Sequence, residues 1–317
     1  HRKFEQTIGV DIGQKAGHRG VSACETEGGK RDDHFSLSWP RATPRPRAMQ
    51  QKPFRFLPTA LPGIEAMQAD SRLVFGRHMH LQFGLGVIER GAQKSASGRG
   101  IVESGPGDTI TVNPGEVHDG KPLGDGGRAW RMLYLEPALV AGLAAEVRPS
   151  TPGAGFEFHA PNLRDARLAA QVRALFAAAT RHPRHAAAPL QVEECLLQIL
   201  AGLLRPAGKG RHIAASVAIA RAMVDDDPTM AWSLADLARE AGLSRYQLVR
   251  QFAQATGLTP HAYLVQRRLH HARRLMRAGK PLAEVAAASG FADQSHLTRL
   301  FARSFGTTPH AYLRAHR

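Results

Sequence analysis

The chain has 317 residues, room for two domains with separate cores, and its 43% hydrophobic and 22% charged residues exclude a disordered or collagen-like polymer. The net charge of +15 points to a polyanionic partner. The two cysteines, Cys24 and Cys195, are far apart in sequence and imply neither a disulfide framework nor a zinc cluster.

Residues 1–52 begin with His, are rich in Arg, Gly and Pro, and show no sustained helix or strand period. Residues 1–48 are expected to be disordered or an over-extended gene start, with Met49 as the true initiator. Residues 53–155 carry short apolar runs at 73–75, 79–88, 101–102, 109–112 and 130–135, split by Gly, Pro, Asn and Asp. Short strands at this spacing, without helices between them, predict an all-β sandwich or small barrel.

The period changes in residues 156–210. Leu163, Ala166, Ala170, Val172, Leu175 and Phe176 fit one helix, and Pro189 leads a second with Val192, Cys195, Leu196, Ile199, Leu200 and Leu203. Arg205 to Arg211 reads as a flexible connection. Residues 211–317 are helical throughout and hold 15 Lys+Arg against 7 Asp+Glu, so about half of the excess charge sits in this last third. No apolar run of about 18 residues occurs, no signal-peptide pattern is seen, and a cytoplasmic location is expected.

This last third is internally repeated. Thr-Pro-His-Ala-Tyr-Leu occurs at 259–264 and again at 308–313, and the preceding residues match as well. In the first copy Ser233 caps a short helix with a stripe of Leu237 and Ala238, Gly242 turns the chain, and Ser244 caps a second helix whose inner face is Leu248 and Phe252. In the second copy Pro281 starts the helix, Val285 and Ala286 form the stripe, Gly290 turns, and Asp293 caps a helix with Leu297 and Phe301 inside. Each is a helix-turn-helix, whose second helix has the width to enter a DNA major groove. The outer residues, Arg245, Tyr246, Val249 and Arg250 in one copy and Gln294, Ser295, Thr298 and Arg299 in the other, are the candidates for DNA contact. A helix over roughly 260–278, carrying Arg267, Arg268, His270, His271, Arg273, Arg274 and Arg277, joins the copies and would hold them about 34 Å apart, one turn of DNA.

Residues 213–317 closely resemble the DNA-binding domain of the AraC/XylS family of bacterial transcription regulators. The resemblance is carried by Gly242-Leu-Ser, Gly257, Pro260, Tyr263, Arg267-Arg-Leu, Gly290-Phe, Phe305-Gly306 and Tyr312-Leu313. It implies sequence-specific binding of double-stranded promoter DNA, contact with RNA polymerase, and a homodimer joined through the helices after the barrel, with Leu196, Ile199, Leu200 and Leu203 as the candidate stripe. Val249 departs from the polar residue often found at its position.

Two further segments, His78-Met-His80-Leu-Gln82 and Asn113-Pro-Gly-Glu116-Val-His118, resemble the motifs of the cupin barrel and of AraC-type sensor domains. In a continuous strand His78, His80 and Gln82 would share one face. The glutamate of metal-binding cupins is replaced by Gly84 and Leu85, and Glu89 lies too far along the chain. His78, His80, Gln82, Glu116 and His118 are therefore assigned to hydrogen bonding with a small-molecule effector, with no metal, no cofactor and no catalytic residue expected. Trp130 and Tyr134 share strand parity and Arg131 points the other way. The alternatives are a metal-dependent cupin enzyme with an accessory DNA-binding tail, and a DNA-binding protein that responds to no effector.

Overall fold

The computed structural model describes residues 54–147, 155–181, 188–207 and 213–315; the expectations for 1–52 lie outside them. From Phe54 to Leu135 the chain doubles back repeatedly at Gly-containing turns, and nine strands result: β1 (Phe54–Leu57), β2 (Ile64–Ser71), β3 (Phe75–His78), β4 (Phe83–Arg90), β5 (Ala92–Ser97), β6 (Gly100–Ser104), β7 (Thr109–Val112), β8 (His118–Leu123) and β9 (Arg128–Leu135). Apolar character runs on to about residue 140, but Pro137 takes the first helical position and starts α1 (Pro137–Val147). Then come β10 (Phe156–Phe158), β11 (Asn162–Leu163), α2 (Ala166–Ala179), α3 (Ala188–Leu203) and β12 (Leu204–Pro206).

Two sheets face each other. The larger runs β1-β2-β9-β4-β7-β11 and the smaller β3-β8-β5-β6. β4 is buried along nearly its whole length because both faces of the larger sheet are covered. Leu85, Val87, Leu133 and Leu135 point to α1, α2 and α3, while Trp130, Met132 and Tyr134 point to the opposite sheet. Gly84 and Gly86 leave room for Met132, since a Cβ at Gly84 would stand 2.6 Å from its methyl carbon.

This packing overturns one expectation. Leu196, Ile199, Leu200 and Leu203 are at most 3% exposed within the protomer's own core. The outer face of the larger sheet is apolar and must be covered, and α3 covers it, so this stripe is not a subunit contact.

The C-terminal region is helical: α4 (Ala215–Asp226), α5 (Leu234–Glu240), α6 (Arg245–Thr256), α7 (Pro260–Arg277), α8 (Leu282–Ala288), α9 (Gln294–Phe305) and α10 (Pro309–Ala315). The expected caps form. Ser233 with Asp236 and Ser244 with Gln247 make reciprocal capping boxes, Asp293 accepts from His296 N, and Gly257 and Gly306 end α6 and α9 in the left-handed conformation. Leu237, Leu248, Phe252 and Tyr263 fill the core of the first repeat; Val285, Leu297, Phe301 and Tyr312 fill that of the second.

Neither core is closed by helices alone. Met79 of the barrel, 1% exposed, enters the first, and Phe54 and Phe56 enter the second, Phe56 with its ring edge-on to Tyr312 at 5.2 Å. The described residues accordingly form one compact unit in which the helical region sits over the barrel.

Candidate functional site

A cavity of about 100 Å³ lies between the two sheets. Its walls come from alternating residues: Met67 on β2, Ile110 and Val112 on β7, Trp130, Met132 and Tyr134 on β9, Ser95 on β5 and Val102 on β6. Arg273 of α7 and Ser304 and Phe305 of α9 also line it, so the helical region supplies part of the wall.

His78, His80 and His118 meet in this cavity. Their rings are 4.4 to 5.3 Å apart, and their nitrogens lie within 4.8 Å of one another. The Nδ1–H of His78 donates to Gly76 O at 2.8 Å and that of His118 to Glu116 O at 3.0 Å, because a carbonyl can only accept. Each neutral ring then keeps Nε2 as an acceptor. Burial, reinforced by the neighbouring His118, lowers His78 to about pKa 3. Burial is also the main cause that lowers His80 and His118, so all three are neutral at neutral pH.

Three neutral imidazoles are the donor set of an open metal site. The carboxylates that would complete one are committed elsewhere: Glu89 pairs with Arg131 and Arg173, and Glu116 with Arg99 at 2.8 Å.

Glu116 lines the cavity, but its Oε2 also accepts from Asn113 N. Gln82 does not line it. β3 ends at His78, the strand alternation stops there, and Gln82 turns to the barrel mouth, where it is 4% exposed and donates to Glu136 Oε1 at 3.0 Å. Trp130 and Tyr134 face the cavity and Arg131 faces away to Glu89, as their parity requires. Arg128 shares the inward parity of Trp130 and also lines the cavity. That signal was present in the sequence; nothing local pointed to Arg273 or Phe305.

At the barrel mouth Glu65 shares the inward parity of Met67. It is 3% exposed and ion-paired with Arg273 and Arg277, and it accepts from the Tyr312 hydroxyl at 2.8 Å. Arg277 also reaches Glu136, and Arg273 reaches Gln82. His270 donates through Nε2 to Met79 O at 3.0 Å. Two other arginines of α7, half-buried, are likewise turned to partners within the protein. Arg267 pairs with Asp225 at 2.9 Å, and Arg268 donates to the carbonyls of Pro228, Gly290 and Met230, tying the two helix-turn-helix units together.

The eight residues expected to face DNA are all outside the core. Tyr246 is 75% exposed; Arg245, Arg250, Gln294, Ser295 and Arg299 are exposed, and Val249 and Thr298 are half-buried at the edge of each helix. The C-terminal glycines of α6 and α9 abut the barrel, Gly257 near Val117 and Gly306 near Phe54, so the N-terminal ends of both helices remain open while the two regions are docked.

Residues 61–200 match the model of the AraC-like ligand binding domain, and residues 237–315 that of a helix-turn-helix domain. The HTH-type transcriptional regulator YbfI of Bacillus subtilis is 26% identical over 229 residues, 70% of this chain and 81% of that protein. A putative AraC-like transcription regulator of Streptomyces lividans is 37% identical over 82 residues, 26% of this chain and 27% of its own length. The crystal structure of an apo ToxT variant from Vibrio cholerae shares the fold, with a TM-score of 0.53 at 12% identity over 81% of this chain and 99% of its own. With an AraC-like ligand-binding domain followed by a helix-turn-helix domain, the chain is an AraC-type DNA-binding transcription regulator.

Proposed function

We propose that a small-molecule effector occupies the cavity between the sheets and that the helical region reads its presence directly. The shared wall supports this most strongly: Arg273 and Phe305 belong to the DNA-binding region yet line the effector cavity. An effector touching them has a different affinity for the docked and undocked arrangements, which is the condition for shifting a population between them. Residues 53–155 are the sensor, 156–210 the helical connection and 211–317 the DNA reader.

In this reading His78, His80 and His118 accept or donate hydrogen bonds to the effector, and Glu116 orders the loop beneath them through Arg99. Gln82 acts at the mouth, through Arg273. Arg245, Tyr246, Val249 and Arg250 face one DNA half-site, and Gln294, Ser295, Thr298 and Arg299 the next. The protein works without catalysis, metal or cofactor, as a homodimer in the cytoplasm that contacts RNA polymerase. Relatives named as transcription regulators support the absence of catalysis, and among the described residues no helix is long and apolar enough to cross a membrane.

The test couples two measurements. A metabolite library is screened by thermal shift, and bound DNA is selected from a random pool. DNA affinity is then measured with and without each stabilising compound. A change in affinity is expected; an unchanged affinity with every bound compound sinks the effector reading. Stoichiometric iron, manganese or zinc on the purified protein would overturn the metal-free assignment.

A further inference from the structure

We infer that the effector is a small organic anion whose carboxylate, or a head group of like charge, sits against Arg128. The inference rests on the reading of the cavity as an effector site. Arg128 lines that cavity at 1% exposure. Its Nε donates to Gln93 Oε1 at 2.8 Å, Nη1 to Leu73 O at 3.0 Å and Nη2 to Gly120 O at 3.3 Å. All three acceptors are neutral, and among the described residues no carboxylate forms an ion pair with it.

A guanidinium has five N–H groups, and these bonds use three. Burial lowers Arg128 to about pKa 10, so the group stays a cation at neutral pH. A buried cation without a counter-charge is costly, and a ligand anion removes that cost.

Two of the other charges around the cavity are ion-paired and the third meets a backbone N–H. Arg273 is paired with Glu65 and Glu116 with Arg99, while Asp119 accepts from Ala96 N at 2.7 Å. The three histidines are neutral. Arg128 is thus the cavity-wall cation that has no carboxylate partner among the described residues. Its surroundings also define the ligand's body. The guanidinium stands 4.7 Å from the Trp130 ring centroid and 5.9 Å from that of Phe75, and apolar side chains continue the wall from there. At about 100 Å³ the space is smaller than an apolar cavity of about 150 Å³ that accepts benzene, so it suits a short chain, and an aromatic acid enters only if the walls give.

The experiment uses the full chain and matched pairs: hexanoate, benzoate, phenylacetate and 3-phenylpropionate, each against its carboxamide, by thermal shift and then calorimetry. At least one carboxylate is expected to bind about tenfold or more tightly than its amide, the scale of one charge-assisted hydrogen bond. Arg128→Gln is expected to abolish that preference and Arg128→Lys to keep part of it. If Arg128→Gln does not fold, the acid-to-amide ratio on the unaltered protein decides. Amides that bind as tightly as their acids, no stabilising carboxylate in the set, or an acid preference that survives Arg128→Gln would each overturn the inference. Neutral compounds that bind in the broader metabolite screen would still leave the cavity reading standing; no bound compound of any charge would remove both.

Discussion

The guanidinium of Arg273, on the longest helix of the DNA-binding region, is buried against the carboxylate of Glu65 on barrel strand β2. Both side chains are below 10% exposure, and Arg277 and Tyr312 converge on the same carboxylate. Breaking a buried pair strands an uncompensated charge, which costs far more than the intact pair contributes. Glu65→Ala should lower the unfolding free energy by about 3–5 kcal/mol in urea titrations. Glu65→Gln, which retains a hydrogen-bond acceptor, should cost less. Hydrogen exchange on α7 should rise in both, and unchanged protection there would show that the ion pair does not hold the two regions together.

Docking also depends on Gly306. Its φ is +69°, and a Cβ there would stand 2.8 Å from the Phe54 ring. Gly306→Ala should cost about 1–2 kcal/mol from the left-handed backbone alone, with displacement of Phe54 added. The thermal midpoint should fall accordingly, whereas Gly98→Ala, with open space around its Cβ, should leave it unchanged.

The buried histidines make stability depend on pH. Burial lowers His78 and His270 to about pKa 3, and lowers His80 and His118 as well, from an ordinary value of 6.5. In the unfolded chain the rings of His78 and His270 take up protons near 6.5, and in the folded chain not until about pH 3. Their contribution is therefore fully present above about pH 6.5 and is lost as pH falls toward about 3. Each can cost up to about 1.4 kcal/mol per pH unit in that window. Urea midpoints should drop steadily from pH 7 to 4.5; a flat profile would mean the rings accept protons in place.

On the DNA side, Arg250→Ala or Arg299→Ala should each cost about 1–3 kcal/mol on the selected site and relax preference at one base position. Equal losses on all sequences would assign those side chains to phosphate alone. Affinity should fall steeply with salt. Arg267→Gln should leave that slope unaltered, because Arg267 faces Asp225, and should lower stability instead.

The doubled helix-turn-helix could be read in advance because its determinants are local. Ser244, Gly257, Asp293 and Gly306 act on backbone groups within a few residues of themselves, and Leu248 with Phe252 states helical spacing directly. Parity likewise placed Trp130 and Tyr134 inside the barrel and Arg131 outside. Local rules failed where chain segments far apart in sequence meet. Gln82 left the cavity once β3 ended at His78, and Leu196 with its neighbours was claimed by the apolar back of the larger sheet. The arginines of α7 look alike in sequence, a basic run suited to a polyanion, yet Arg267, Arg268, Arg273 and Arg277 find partners in the interior. Charge and residue type say what a side chain can bind. Which partner it meets depends on the docking of a helix onto a barrel about 200 residues away in sequence, and that is set by the summed burial of both surfaces.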